Sequence, residues 1–348
     1  MSVFDLPAFD DHEAVHIFDD AKSGMRAIIA IHSTHLGPAA GGCRYHQYAD
    51  SEAALVDALR LSRGMSYKNA LAGLPAGGGK AVLFKRSAFP KSDAILEALG
   101  GAISSLNGNY VTAEDIGMSD ADMEVIARRT KHVSGLPVAG GKAGGNPGPW
   151  TAEGVFLGMR AAVRHRLGRE GFKGVHVAIQ GLGSVGIALA RHLAADGARL
   201  TVADIDEAKA AQLAGELRAH VVAPEEILFT EADVLAPCAL GAVLNEETIP
   251  ALNAEIVAGA ANNQLRRPED GDRLKERGVL YVPDYALNAG GIINVMAEYF
   301  GDGDAEAVKT RIAKIEDRVA KILTRADQEG EATNRVADQM ARELIGRG

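Results

Sequence analysis

Residues 174–204 constrain the fold more than any other stretch of the chain. Gly174-Val-His-Val-Ala-Ile-Gln180 reads as a buried strand, and Gly181-Leu-Gly-Ser-Val-Gly186 follows it without a spacer. Residues 187–195 carry helical patterning, and Arg199-Leu-Thr-Val-Ala203 is a second strand that ends at Asp204. Glycines in a strand-to-helix turn permit both the tight turn and the close approach of a pyrophosphate, which the helix N-terminus then holds. Gly181, Gly183 and Gly186, with Ser184 and Val185 among them, are therefore expected against a dinucleotide. Asp204 lies 18 residues beyond Gly186. A carboxylate there accepts hydrogen bonds from the adenosine ribose and repels a 2′-phosphate, which favours NAD over NADP. The competing reading is that Asp204 caps a helix from Glu207 onward.

Such a unit predicts a doubly wound α/β domain, and the following sequence continues the pattern. Residues 234–237, 256–260 and 279–282 read as further parallel strands with helical stretches between them. Two of them end in polar loops, Ala261-Asn-Asn-Gln264 and Pro283-Asp-Tyr-Ala-Leu-Asn-Ala-Gly-Gly291. Loops over the carboxyl edge of an open sheet lie where a nicotinamide would sit, so Ala261, Asn262 and Asn288 are candidate cofactor contacts. Residues 304–327 and 331–346 read as two terminal helices.

The segment Gly135-Leu-Pro-Val-Ala-Gly-Gly-Lys-Ala-Gly-Gly-Asn-Pro-Gly-Pro149 cannot continue a helix or a central strand. It divides the chain into a first domain over 1–140 and a Rossmann domain over 141–327, with Lys142 as a solvated hinge lysine. Ahead of it, residues 15–19 and 25–32 read as strands, Gly37-Pro-Ala-Ala-Gly-Gly-Cys-Arg44 as a backbone-exposing loop, and 51–66 as a helix capped by Asp50 or Ser51. Lys68 follows that helix. Lys80 ends Leu74-Pro-Ala-Gly-Gly-Gly-Lys80, where a glycine loop enters the short strand Ala81-Val-Leu-Phe84. Glycines lack a Cβ and bring bare backbone to whatever Lys80 touches. A lysine so placed, near a second lysine, has reason to lose its proton near neutral pH, which suits a general base or an anion clamp. Asn109-Tyr-Val-Thr112 is a strand ending in Ala113-Glu-Asp-Ile-Gly117, and strand ends carry active-site residues, so Asp115 is a further candidate. Ser119-Asp-Ala-Asp122 has the spacing of a capping box and opens a helix through Thr130.

Charge and cysteine content narrow the function classes. A net charge of −9 argues against binding a phosphate backbone. No apolar run approaches the roughly 20 residues of a membrane span. The acidic N-terminus lacks the positive region of a signal peptide. Cys43 and Cys238 stand far apart. A reduced, cytoplasmic protein is expected, with no metal, nucleic-acid or membrane partner.

These motifs resemble the glutamate/leucine/phenylalanine/valine dehydrogenase family, and most closely its leucine dehydrogenase branch, over residues 27–299. The resemblance rests on the loops quoted above at 37–44, 74–80, 261–264 and 283–291, with Thr112-Ala-Glu-Asp-Ile-Gly117 and Ala258-Gly-Ala260. It implies reversible NAD-dependent oxidative deamination of an L-amino acid to a 2-oxo acid and ammonia, in a cleft between two domains. It also implies that the first domain binds substrate and joins subunits of a homo-oligomer, a dimer or an octamer, and that the C-terminal helix over 328–348 folds back onto it. By the same resemblance Lys68 binds the substrate carboxylate, and the backbone of Gly41 and Gly42 approaches the substrate. Lys80 is the general base, made neutral by a neighbouring cation, and Asp115 handles protons on the amino group. Asn262 orients substrate and nicotinamide, and Thr151 bonds the carboxamide. Ala40, Ala113, Ile292 and Val295 line the side-chain pocket. Glutamate enzymes of the family carry a lysine at the Ala40 position, so an apolar substrate is implied. Leucine dehydrogenases tend to carry a larger residue there, which keeps phenylalanine open beside leucine. Two other classes fit the Rossmann motif: a hydroxy-acid dehydrogenase, which would use a histidine or tyrosine base, and an inactive NAD-binding regulator, which would lack the lysines.

Overall fold

Alternating apolar residues pair Ala14–Asp20 (β1) with Met25–Ser33 (β2) as an antiparallel hairpin. Its turn is closed by Asp20, whose carboxylate accepts from the Ser23 amide and hydroxyl. This hairpin opens a computed structural model that describes residues 2–137, 143–239 and 241–348; Lys142 lies outside the described residues. The chain forms two compact units. The first comprises Met1–Asn146, Asn294–Ala305 and Ala341–Gly348, and the second Pro147–Ile293 and Glu306–Met340.

In the first unit the hairpin is followed by Ala39–Ala40 (β3), Cys43–His46 (β4), Ser51–Leu71 (α1), Gly77–Phe84 (β5), Asp93–Ser105 (α2), Tyr110–Val111 (β6) and Asp120–Ala127 (α3). The sheet is mixed, in the order β1-β2-β5-β3-β6, with β4 also on β5. The first three strands pair antiparallel, and β3, β4 and β6 pair parallel. One face packs Ile28, Ala30 and Val82 on Ala54, Ala58 and Leu59 of α1. The other packs Ile29, Ala81, Leu83 and Tyr110 on residues of α2 and α3, among them Leu99, Ile103, Met123 and Ile126.

Four expectations change here. The glycines before Lys80 belong to β5 rather than to a loop, because neighbouring backbone takes the space of their missing side chains. A Cβ at Gly77 would stand 1.8 Å from the Ser33 carbonyl oxygen, one at Gly78 2.0 Å from the Ser66 amide nitrogen, and one at Gly79 2.7 Å from the Tyr110 ring. The 37–44 segment is likewise not a free loop. Its strands β3 and β4 keep one register on β5, Ala40 opposite Gly78 and Cys43 opposite Ala81, and between them strand pairing lapses at Gly41-Gly42. Helix α1 runs on to Leu71, so Lys68 sits in its last turn. The Ser119–Asp122 capping box forms, but α3 ends at Ala127.

The second unit contains Gly148–Leu167 (α4), His176–Gln180 (β7), Ser184–Ala195 (α5), Arg199–Ala203 (β8), Glu207–Leu217 (α6), His220–Val221 (β9), Ala232–Pro237 (β10), Ala254–Val257 (β11), Glu269–Glu276 (α7), Leu280–Tyr281 (β12) and Asp284–Leu287 (α8). Gly290–Phe300 (α9) contains the boundary between the units; Ala305–Glu329 (α10) and Thr333–Leu344 (α11) complete the chain. The sheet order is β12-β11-β10-β7-β8-β9, all parallel. This is the doubly wound Rossmann arrangement, with its switch point between β7 and β10. Strand β9, two exposed residues long, has no pattern that sequence could reveal. Among the described residues, no helix is long and apolar enough to cross a membrane.

The far end of the chain locks into the first unit. Arg347 donates to the carbonyls of Asp10, Asp11 and His32 and to Nε2 of His32. Nε2 of His32 also faces Asp10 Oδ2 at 3.3 Å, and its Nδ1 lies 2.8 Å from Ser66 Oγ. His12, beside His32 at 4.8 Å between ring centroids, contacts Leu59 O and Ser62 Oγ through Nε2. Burial holds both imidazoles neutral, lowering His32 and bringing His12 from 6.5 to about 4. A histidine whose folded pKa lies below its unfolded value contributes stability that is complete above pH 6.5 and lost as pH falls toward 4. The thermal midpoint is therefore expected to drop between pH 6.5 and 4, and to drop less in His12→Gln. Parallel melting curves of the two proteins across that range check this.

Candidate active site

The first side chain that β5 presents after its three glycines on the α1 face is Lys80. It is 5% exposed, and its Nζ lies 2.6 Å from Asp115 Oδ2. Burying an ammonium is costly unless it is paired, and Asp115 supplies the pairing. The same Oδ2 accepts from Arg44 Nε at 3.0 Å. Arg44, on β4, reaches on to Asp57 of α1 at 3.1 Å, and Asp57 accepts from the Tyr48 hydroxyl at 2.6 Å. Burial raises the Asp115 carboxyl, but Lys80 and Arg44 outweigh it and bring the carboxyl down to about 2. Asp115 is thus ionised throughout the neutral and alkaline range and is no standing proton donor. The charge in contact with Lys80 is a carboxylate, and the cation Arg44 shares its oxygen. Next to Asp115, Glu114 behaves oppositely. Burial and the nearby Asp120 and Asp122 push it from 4.5 to about 7.

The remaining candidates in this unit gather around the same strands. Lys68 is half-buried on α1, between the buried Tyr67 and Asn69. Asn69 donates to the carbonyls of Gly77, at 2.6 Å, and Ala40, at 3.3 Å. Ala40 is buried and Ala113 half-open; Val295 is buried in α9. Gly41 and Gly42 are held by their own neighbours. The Gly41 amide bonds the Val111 carbonyl, and its carbonyl accepts from the Tyr110 hydroxyl at 2.6 Å. A Cβ at Gly41 would meet the Gly79 carbonyl oxygen at 1.9 Å, and one at Gly42 the Glu114 carbonyl oxygen at 2.4 Å. Sequence reasoning gave no role to Arg44, Asp57, Asn69 or Tyr110. A signal for Asn69 was present: Ser62, Ser66 and Asn69 form a polar row at helical spacing on an otherwise apolar face.

In the second unit the glycine turn divides its work. Gly181 has φ +92, and a Cβ on it would meet Ala239 at 2.6 Å; one on Gly186 would meet the Gly181 carbonyl oxygen at 2.0 Å. Both are needed to close strand against helix. A Cβ on Gly183 meets nothing within 4 Å. Gly183 and Ser184 are exposed, Val185 is half-buried, and no side chain caps α5. An uncapped helix start behind an open glycine fits a pyrophosphate. Asp204 accepts from the Leu182 amide at 2.6 Å and the Asp206 amide at 2.9 Å, and Lys209 Nζ stands 3.7 Å away. Burial opposes its ionisation, but these amides and Lys209 hold its carboxyl low. The cap of α6 is Asp206, which removes the competing reading of Asp204. Thr151 Oγ1 donates to the Pro147 carbonyl and lies 2.7 Å from where a Cβ of Gly291 would stand. Asn288 donates to Asn262 Oδ1 at 2.7 Å and to the Ala260 carbonyl, while its own buried Oδ1 has no hydrogen-bond partner among the described residues. Ala261 is buried, Asn262 exposed and Ile292 half-buried. Gln264 and Asp284, also without an expected role, tie the loops together, the Gln264 amide donating to Asp284 at 3.0 Å.

Comparison with known proteins gives the two units a common identity. Residues 12–132 match "Glu/Leu/Phe/Val dehydrogenase, dimerisation domain" and residues 201–343 match "Glutamate/Leucine/Phenylalanine/Valine dehydrogenase". The protein is thus an amino acid dehydrogenase. It belongs to the glutamate/leucine/phenylalanine/valine dehydrogenase family. It is 45% identical to the leucine dehydrogenase of Bacillus cereus, over 99% of this chain and 94% of that one. It is 44% identical to the valine dehydrogenase of Streptomyces albus, over 96% and 92%. The crystal structure of L-tryptophan dehydrogenase from Nostoc punctiforme superposes with a TM-score of 0.85 at 44% identity, covering 96% of each chain.

The two kinds of glycine in the turn should separate experimentally. Gly186→Ala is expected to lower stability by about 1–3 kcal/mol through overpacking. Gly183→Ala should leave the melting temperature unchanged and weaken dinucleotide binding several-fold. Thermal melts and a fluorescence titration with NADH measure the two effects.

Proposed function

We propose that the chain catalyses the reversible NAD-dependent oxidative deamination of an apolar L-amino acid, with leucine and its branched relatives preferred. The observation that carries this reading is the buried Lys80–Asp115 pair at 2.6 Å, in a chain whose similarity to leucine dehydrogenases runs nearly end to end. Bound NAD supplies a hydride acceptor for the substrate Cα. Gly183 and the start of α5 hold its pyrophosphate, Asp204 its adenosine ribose, and Thr151, Ala261, Asn262 and Asn288 the nicotinamide end. Lys68 clamps the substrate carboxylate as a point charge. Lys80, once neutral, takes a proton from the water that attacks the iminium carbon of the substrate and so becomes the ammonium. Asp115 holds the Lys80 ammonium and, as a carboxylate, accepts a hydrogen bond from the substrate amino group. The match of the first unit to a dimerisation domain supports a homo-oligomer, a dimer or an octamer. The low cysteine count suits a reduced, cytoplasmic setting.

The side-chain pocket is read as apolar, lined by Ala40, Ala113, Ile292 and Val295. Ala40 replaces the lysine with which glutamate enzymes of the family hold the distal carboxylate. An aromatic substrate is the second reading. It is favoured by the small Ala40 and by the similarity to an L-tryptophan dehydrogenase, since identities of 43–45% to leucine, tryptophan and valine enzymes do not discriminate between them.

NADH formation with L-leucine, L-valine, L-phenylalanine, L-tryptophan and L-glutamate at alkaline pH tests this reading. Apolar substrates should be oxidised and glutamate barely; glutamate turnover equal to that of leucine would refute the pocket. Lys80→Ala should abolish deamination while dinucleotide affinity stays within about twofold. NAD should be preferred over NADP, and Asp204→Ser should narrow that gap by removing the carboxylate that repels a 2′-phosphate; steady-state kinetics with both cofactors decide it.

A further inference from the structure

Asp115 receives two cations on a single oxygen. Lys80 Nζ and Arg44 Nε both reach Oδ2, at 2.6 and 3.0 Å. Lys80 must release that oxygen whenever it turns to water or substrate. Arg44 has no such duty. Its other end is anchored, Nη1 lying 3.1 Å from Asp57 Oδ2, and Asp57 is held by the Tyr48 hydroxyl at 2.6 Å. The result is a strap of alternating charge, Tyr48–Asp57–Arg44–Asp115, from the middle of α1 and the end of β4 to the reacting pair. Both guanidinium contacts are made by a side chain only 19% exposed, where the low dielectric strengthens charge-assisted bonds. The planar fork of arginine can bridge two carboxylates at once, which the point charge of a lysine does less well.

We propose that Arg44 is a positioning residue of the reaction: braced by Asp57, it keeps Asp115 ionised and aimed at Lys80 through the steps in which Lys80 lets go. The proposal rests on the reading of Lys80 and Asp115 as the reacting pair. With Lys80 disengaged and Arg44 absent, burial is left as the main influence on the Asp115 carboxyl, and burial raises it. The carboxyl then begins to take up a proton within the working range. The acid limb of the rate profile, where activity appears as pH rises, consequently moves to higher pH.

The test is the pH dependence of kcat/KM for L-leucine, with saturating NAD and the full-length enzyme, in Arg44→Met, Arg44→Lys, Asp57→Asn and the double variant Asp57→Asn/Arg44→Met. Arg44→Met is expected to lose activity on the order of 10- to 100-fold, with its acid limb raised by about one pH unit or more and KM for NAD unchanged. Arg44→Lys should recover part of both effects. Asp57→Asn should shift the limb the same way by less. Because Asp57 acts through Arg44, the double variant should match Arg44→Met. An acid limb that stays in place in Arg44→Met, whatever happens to the maximal rate, overturns the proposal, as does full additivity in the double variant. If Arg44→Met fails to fold, Asp57→Asn decides alone, and an unmoved limb there counts against the strap. Turnover surviving in Lys80→Ala would sink the underlying reading together with the proposal. An unmoved limb in Arg44→Met beside a dead Lys80→Ala would sink the proposal only.

Discussion

The first unit depends on a strand that has no side chains where two other elements need the room. At Gly78 the backbone of α1 comes within van der Waals reach of β5, and at Gly79 the ring of Tyr110 fills the opposite face. Any side chain at these positions would push α1 or Tyr110 away. The contact draws α1 down at its C-terminal half, where Asn69 bonds across to β3 and β5 and Lys68 is carried beside them. It also means that the first side chain to emerge from β5 toward α1 is a lysine in a confined space. The position of the proposed base follows from backbone packing before any charge is considered.

Charge then decides what that lysine meets. A buried ammonium without a counter-ion would be expelled or neutralised. Here the carboxylate of Asp115 lies against it, and the balancing charges continue outward through Arg44 and Asp57, each more exposed than the buried amine. Asp115 and Glu114, adjacent in sequence, are shifted in opposite directions, one down to about 2 and the other up to about 7. One carboxyl sits between two cations, and the other sits among carboxylates. Sequence position alone could not separate them, because their partners come from β4, β5 and the start of α3.

The second unit was the more legible of the two, for a local reason. Its strand, glycine turn, helix and acidic strand end are consecutive, so pattern and contact coincide, and the parallel order of the sheet follows from the alternation of elements. In the first unit the partners are distant. Gly77 is required by Ser33, Gly78 by Ser66 and Gly79 by Tyr110, so glycines that suggest a loop are in fact the centre of a sheet. For the same reason the segment at 37–44 reads as exposed backbone although its glycines abut β5 and Glu114. Asp204 and Asp206 illustrate the finest grain. Sequence position leaves Asp204 open as a helix cap, whereas the bond from the Leu182 amide ties Asp204 to the glycine turn and the bond from the Lys209 amide makes Asp206 the cap.

Arg347 binds four groups on residues 10, 11 and 32, and Arg342 reaches Asp10. On the ribosome, the hairpin and α1 emerge long before residues 341–348, and the whole parallel sheet is made in between. The parallel sheet of the second unit can therefore form while the first unit still waits for its last strap. During that interval His32 lacks its bonds from Arg347 and Asp10 its bond from Arg342. Translation order, rather than thermodynamic preference, makes the early part of the chain the last to become secure, and a premature stop near the end would damage the unit that was synthesised first.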